Sequence, residues 1–207
     1  RGSGTLLGTE QSGFIADIGF ETYHRILNEA VEELKADEFS ELFREEREAM
    51  DQQKGSRFVS DCQIETDLEL LFPETYIPGT AERMFLYREL DSLQNEVQLE
   101  KFRNSLTDRF GQLPPETGEL LLVVSLRWLA IRLGIEKIVL KGGVMICYFP
   151  SDQNSVYFDS EIFGTILKYV QSHPKKCRMK ENGRLTLTFS QVLLIRDALG
   201  LLKDISN

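Results

Sequence analysis

Arg1 and Gln11 stand near the two ends of RGSGTLLGTEQSG, a segment with glycine at positions 2, 4, 8 and 13. Arginine presents five donors in a planar fork, and glutamine presents a donor and an acceptor together. On a loop whose glycines admit positive φ, such a pair can thread between other surfaces and grip them. A phosphate cradle is the first chemistry to try on such a loop. That motif needs lysine and then serine or threonine after its last glycine. Here Gly8 is followed by Thr9 and Glu10, and a carboxylate repels phosphate. A dinucleotide fingerprint needs a strand ahead of the glycines, which the sequence does not display.

A second polar group, Asp108 and Arg109, lies in LTDRFGQLP, just ahead of Gly111 and Pro114. At a domain edge an Asp–Arg pair can meet charged groups on a neighbouring surface. Exposed ion pairs set register and contribute only about 0–1 kcal/mol each. The plainer arrangement has Arg109 bonding the last carbonyls of its own helix, with Asp108 solvated. His24 and His173 lie far apart without a Ser or Cys motif beside them, so both read as structural or solvated. Cys62, Cys147 and Cys177 form neither a CxxC pair nor a zinc spacing and read as reduced, buried thiols. No catalytic residue and no metal site are expected. The stretch 173–184, HPKKCRMKENGR, is the clearly basic patch. It suits DNA or an acidic partner, and it equally suits a strand edge whose charges discourage edge-to-edge pairing.

These groups need elements to hold them. Residues 20–35 carry apolar side chains at three- and four-residue steps (Phe20, Tyr23, Ile26, Leu27, Ala30, Val31, Leu34), which predicts an amphipathic helix. The charged run 37–51 and Gly55-Ser56 break that order and read as a linker. Cys62–Leu71 alternates as a strand with one buried face, and Pro73 and Pro78 then turn the chain. Three helices follow. Thr80–Ser92 starts at a Thr80–Arg83 cap and presents Met84, Phe85, Tyr87, Leu90 and Leu93. Glu96–Phe110 presents Val97, Leu99, Phe102, Leu106 and Phe110, and Gly111 ends it. Pro115–Leu133 is apolar on nearly all sides, the signature of a buried central helix. The period then changes to two. Lys137–Lys141 and Val144–Phe149 form a hairpin about Gly142-Gly143. A helix over Asp159–Gln171 leads to a second hairpin, Cys177–Lys180 with Arg184–Phe189. Ser190 caps a last helix to about Asp204. Hairpin-paired strands with segregated helices predict an α+β fold with a small antiparallel, hairpin-built sheet. Three regions result: 1–38 (loop and helix), 39–60 (charged linker) and 61–207 (the α+β domain).

The composition restricts what such a chain can do. It has 207 residues, 33 acidic against 24 basic, and a net charge of -9. A broad DNA-binding face is usually basic, because phosphate neutralisation supplies most of the affinity. No apolar run approaches the roughly 20 residues of a membrane span, so no membrane partner is expected. The location expected is cytoplasmic.

RGSGTLLGTEQSGFIADIGFETY resembles the RGxGxLLGxxQSGxxxxIG(F/Y)xxY segment of bacterial transcription-repair coupling factors, whose core is shared with the RecG branch-migrating helicases. FPETYIPGTAERMFLYREL and LTDRFGQLPPETGELLLVVSLRWLAIRLGI resemble the C-terminal domain of the coupling factors, which RecG lacks. The resemblance implies that Arg1 and Gln11 belong to a translocation motif that couples ATP-driven lobe closure to movement on duplex DNA. It implies a fragment whose motor, with its ATP and Mg sites and its RNA-polymerase-binding module, lies upstream. The fragment itself would hold no cofactor and would be no enzyme, while its parent would be an ATP-hydrolysing translocase that displaces stalled RNA polymerase and recruits excision repair. In the family the last domain packs on a UvrB-like module of the same chain and masks the surface that recruits UvrA. The Asp-Arg of the DRFG segment takes part, which carries over to Asp108 and Arg109. An acid often stands three residues before that Asp, where this chain has Ser105. The alternative is a free-standing nucleic-acid-binding module using the basic hairpin 173–184.

Overall fold

The computed structural model describes residues 20, 23–26, 58–152 and 154–206. Arg1, Gln11, the glycine segment and the acidic run 37–51 lie outside the described residues. In chain order the described elements are β1 (Gln63–Thr66), α1 (Thr80–Ser92), α2 (Glu96–Phe110), α3 (Pro115–Arg132), β2 (Lys137–Lys141) and β3 (Val144–Tyr148). They continue with α4 (Glu161–Ser172), β4 (Cys177–Glu181), β5 (Leu185–Ser190) and α5 (Ile195–Ser206). They divide into two compact units, one of residues 1–27 with 68–124, the other of 28–67 with 125–207, and the boundary falls within α3. The predicted α+β class is the observed one.

In the first unit Tyr87 of α1 is the central side chain. Its ring lies 4.8 Å from that of Phe72, 5.9 Å from Phe20 and 6.0 Å from Tyr23. Its hydroxyl accepts the Phe72 N–H at 3.0 Å, which lets a fully buried phenol keep a partner. Met84, Leu86 and Leu90 complete the buried stripe of α1, while Leu99, Phe102 and Leu106 form that of α2. Two positions read as part of those stripes are not. Phe85 is 59% exposed and Val97 66% exposed, because each falls out of phase with its helix's buried side. The start of α1 also differs from expectation. Gly79 is the N-cap, without a side-chain cap bond. Arg83 instead folds back beneath the turn and donates to the carbonyls of Ile77 (2.9 Å) and Pro78 (3.1 Å). Asn95 caps α2, its side chain accepting from the Gln98 N–H at 3.0 Å. Gly111 ends α2 at φ 86°, ψ -158°, a region open only to glycine.

The second unit holds a five-stranded sheet in the order β1-β2-β3-β5-β4. β2–β3, β3–β5 and β4–β5 are antiparallel, so the expected hairpins are present. β1 joins the edge parallel to β2, with Gln63 opposite Lys137 and Thr66 opposite Leu140. It is shorter than the Cys62–Leu71 strand predicted. β2 ends at Lys141, and beyond Thr66 the Asp67 carboxylate takes the Gly142 N–H at 2.9 Å. Gly142 and Gly143 (φ 57° and 76°) make the two-residue turn of the first hairpin. In the second, Glu181 pairs with Leu185, so three residues separate the strands. Ile138, Leu140, Met145, Cys147, Leu187, Phe189 and Cys177 alternate onto one buried face.

Two helix starts in this unit depart from the reading. A 3-10 turn at Val156–Asp159 precedes α4, which begins at Glu161 with Ser160 as its cap. Ser190 does not cap the last helix. It pairs with Val144 at the end of β5, Gln191 turns the chain at φ 62°, and α5 starts at Ile195.

Candidate protein-docking site

Ser105, Asp108 and Arg109 all lie on the exposed side of α2. The structure joins one of them, Arg109, to a residue that sequence reading missed. Arg109 Nη2 donates to Glu82 Oε1 at 2.5 Å, joining the last turn of α2 to the first turn of α1 across 27 positions of sequence. Arg109 therefore does not bond the final carbonyls of its own helix, which was the plainer expectation. Those acceptors go elsewhere: Gly111 N–H bonds the Thr107 carbonyl, and Tyr76 Oη bonds the carbonyls of Leu106 (3.2 Å) and Gly111 (3.1 Å).

The ion pair reveals how the two helices run. α1 and α2 are joined at one end by the three residues 93–95 and at the other by Glu82–Arg109, so they run antiparallel, side by side. Below Arg109 the floor is aromatic. Its guanidinium sits 4.8 Å from the Phe110 ring centroid, and Tyr76 meets Phe110 edge-on at 5.7 Å. Side-chain exposures of 44% for Arg109 and 39% for Glu82 make this a screened pair, of the kind that contributes about 0–1 kcal/mol. Its role is geometric. It holds the Arg109 fork over α1 and leaves Asp108, which has no partner among the described residues, as the unspent charge of the face.

Other candidate groups serve the fold. His24 Nδ1 meets the Asp91 carboxylate, and its ring stacks on Phe20. His173 stacks on Tyr169 at 4.3 Å, with Nδ1 3.0 Å from the Tyr169 carbonyl. All three cysteines are buried, and burial pushes the Cys147 thiol up to about 12, so it stays protonated and unreactive. In the basic hairpin, Arg184 is tied to Glu136 and to the Phe149 carbonyl (2.8 Å). Lys175, Lys176, Arg178 and Lys180 remain exposed beside or along edge strand β4. Among the described residues no group of His, Cys, Asp and Glu gathers to hold a metal, and no helix is long and apolar enough to cross a membrane.

Glu82 was not singled out because its role depends on a second helix; Phe85 was misassigned to the core. A helical wheel of α1 would have placed both away from Tyr87 and Leu90.

Comparison with known proteins identifies the domain that carries this face. A family profile described as the TRCF domain matches residues 66–159, which include Glu82, Ser105, Asp108 and Arg109. The transcription-repair-coupling factor of Rickettsia prowazekii (strain Madrid E) is 31% identical over 185 residues, covering 89% of this chain and 15% of that protein. The factor of Escherichia coli (strain K12) is 37% identical over 147 residues, covering 70% of this chain and 12% of that protein. The chain thus spans about one-seventh of the length of these curated relatives. A crystal structure of the C-terminal domain of a transcription-repair coupling factor superposes with a TM-score of 0.57 at 19% identity, covering 70% of this chain and 93% of that one, and shows the same fold. The chain belongs to the transcription-repair-coupling factor family.

Proposed function

We propose that this chain is the regulatory part of an ATP-driven duplex-DNA translocase, and that its α1–α2 face is a clamp that docks on a UvrB-like module of the same parent protein. Docking masks the surface through which the parent recruits UvrA. The observation that supports this reading is the constellation at the end of α2: Asp108 and Arg109 are exposed side by side, with Arg109 held in place by Glu82. Charges arranged this way set register and yield to competition, as a releasable contact requires. Arg1 and Gln11 belong, on this reading, to the translocation motif. ATP, Mg, RNA polymerase and duplex DNA are then engaged elsewhere in the parent, in the cytoplasm, and this chain contributes no catalytic group.

The test uses the full-length parent. Asp108→Ala with Arg109→Ala should open the closed state and raise UvrA affinity roughly tenfold, the size of effect typical of interface side chains. UvrA affinity unchanged by the double substitution removes the clamp.

A nucleic-acid-binding reading rests on the exposed cations beside and on β4. It ranks second because Lys175, Lys176 and Arg196 line a cleft of about 790 Å³ together with Asp197 and Asp204, so its potential is mixed. Salt-dependent binding of the chain to duplex DNA would favour it.

A further inference from the structure

Phe85 projects from α1 at 59% exposure, the one aromatic among the large exposed apolar side chains of the described residues. Its surroundings follow from helix geometry. Phe85 lies three residues beyond Glu82, about 60° around α1 and about 4.5 Å along it. Ser105 lies four residues before Arg109, about 40° around α2 and about 6 Å along it. Because the helices are antiparallel, both steps run the same way from the Glu82–Arg109 pair. The buried stripes of both helices lie on the opposite side, so Phe85, Ser105 and Asp108 share one solvent-facing surface.

Phe85 thus lies less than one turn along α1 from the ion pair of the proposed clamp. Glu82 and Arg109 neutralise each other, while Asp108 keeps its charge. An aromatic side chain edged by charged groups, Asp108 among them, matches the usual division of an interface into an apolar anchor and a charged rim. With Glu82 paired to Arg109, the exposed Glu89 and Asp108 are balanced by the exposed Arg88 and Lys101, so the face has no net positive charge to attract a phosphate backbone.

We infer that Phe85 is the apolar anchor of this docking face, and that its partner is a protein surface with an apolar pocket rimmed by a lysine or arginine that meets Asp108. The inference rests on the proposed clamp and names the chemistry of its other half.

Full-length parent protein carrying Phe85→Ser, Phe85→Leu, or the Asp108→Ala/Arg109→Ala pair separates the two ideas. Binding to UvrA and to duplex DNA is measured for each, with circular dichroism as the control for folding. Phe85→Ser should raise UvrA affinity roughly tenfold, and Phe85→Leu, which keeps an apolar anchor, should stay within about threefold of the unsubstituted protein. If the charge pair opens the protein but Phe85→Ser does not, the anchor is wrong and the clamp stands. If neither changes UvrA binding, the clamp itself falls. If Phe85→Ser weakens DNA binding and leaves UvrA binding unchanged, the protein-partner assignment is overturned.

Discussion

Gly134 carries φ 71°, and a Cβ added there would lie 2.2 Å from Tyr157 Cε2. Tyr157 cannot easily withdraw. It is fully buried, its hydroxyl donates to the Leu133 carbonyl at 2.6 Å, and its ring contacts those of Phe149, Phe158 and Phe163. The glycine that stops α3 is therefore also the seat of an aromatic cluster. Gly134→Ala adds left-handed strain of about 1–2 kcal/mol to an overpacking cost of about 1–3 kcal/mol. The expected loss is roughly 2–5 kcal/mol. Trp128, the only tryptophan, lies in the same unit, so urea unfolding followed by its fluorescence reads the change. An unshifted midpoint would mean that the backbone relaxes at no cost. The same residue scale separates what could be read of the docking face from what could not. Asp108 and Arg109 were visible as a polar pair at a helix end. The Glu82 contact was not, since nothing local marks an acid 27 positions away as the partner of Arg109.

At the scale of elements, the start of α5 shows how two signals compete for one residue. Ser190 precedes an apolar run and has the chemistry of an N-cap, but β5 claims it for the ladder opposite Val144. The helix is instead capped from within. Asp197 Oδ2 accepts the N–H groups of Leu193 (3.1 Å) and Leu194 (3.0 Å), so an acid in the first turn reaches back to free donors. Asp197→Ala should cost about 1 kcal/mol, whereas Ser190→Ala should cost only a few tenths, by the usual behaviour of surface positions away from caps. Thermal melts of the two variants check the order, and equal losses would return the cap to Ser190. The bounds of α1 and α2 were legible because strong three- and four-residue periodicity sits between clear stops. Phase within them was less so: Phe85 and Val97 are apolar residues on the far side of their helices from the stripe, and composition alone places them inside. The parallel pairing of β1 had no local signal at all, because its partner comes only after three helices.

For the molecule as a whole, that pairing is the long-range tie. The first unit's residues 68–124 are inserted in sequence between β1 and β2 of the second. Closing so large a loop carries an entropic cost that the contacts of a four-residue strand must offset. Backbone bonds and the buried Ile64 supply part of this. Glu65 supplies another part, meeting Lys137 Nζ at 2.6 Å and Lys141 Nζ at 3.5 Å, with Lys137 72 positions away. The hydrogen bond from Lys137, with the charges of both lysines, outweighs desolvation and holds the Glu65 carboxyl below its ordinary value of 4.5. The sign of the linkage follows. The unfolded chain takes up this proton first as pH falls, so the stabilisation is complete above about pH 4.5 and is lost as pH drops through the depressed folded value. Because Glu65 is 36% exposed, solvent screening limits its contribution to about 0–1 kcal/mol. Glu65→Gln should lower the melting temperature slightly at pH 7 and flatten its fall between pH 5 and 3, about the span over which a depressed carboxylate titrates. Added salt should shrink the pH 7 difference. If the Gln variant melts in parallel with the unsubstituted chain throughout, the ladder and Ile64 hold β1, and the lysines beside it serve only the surface.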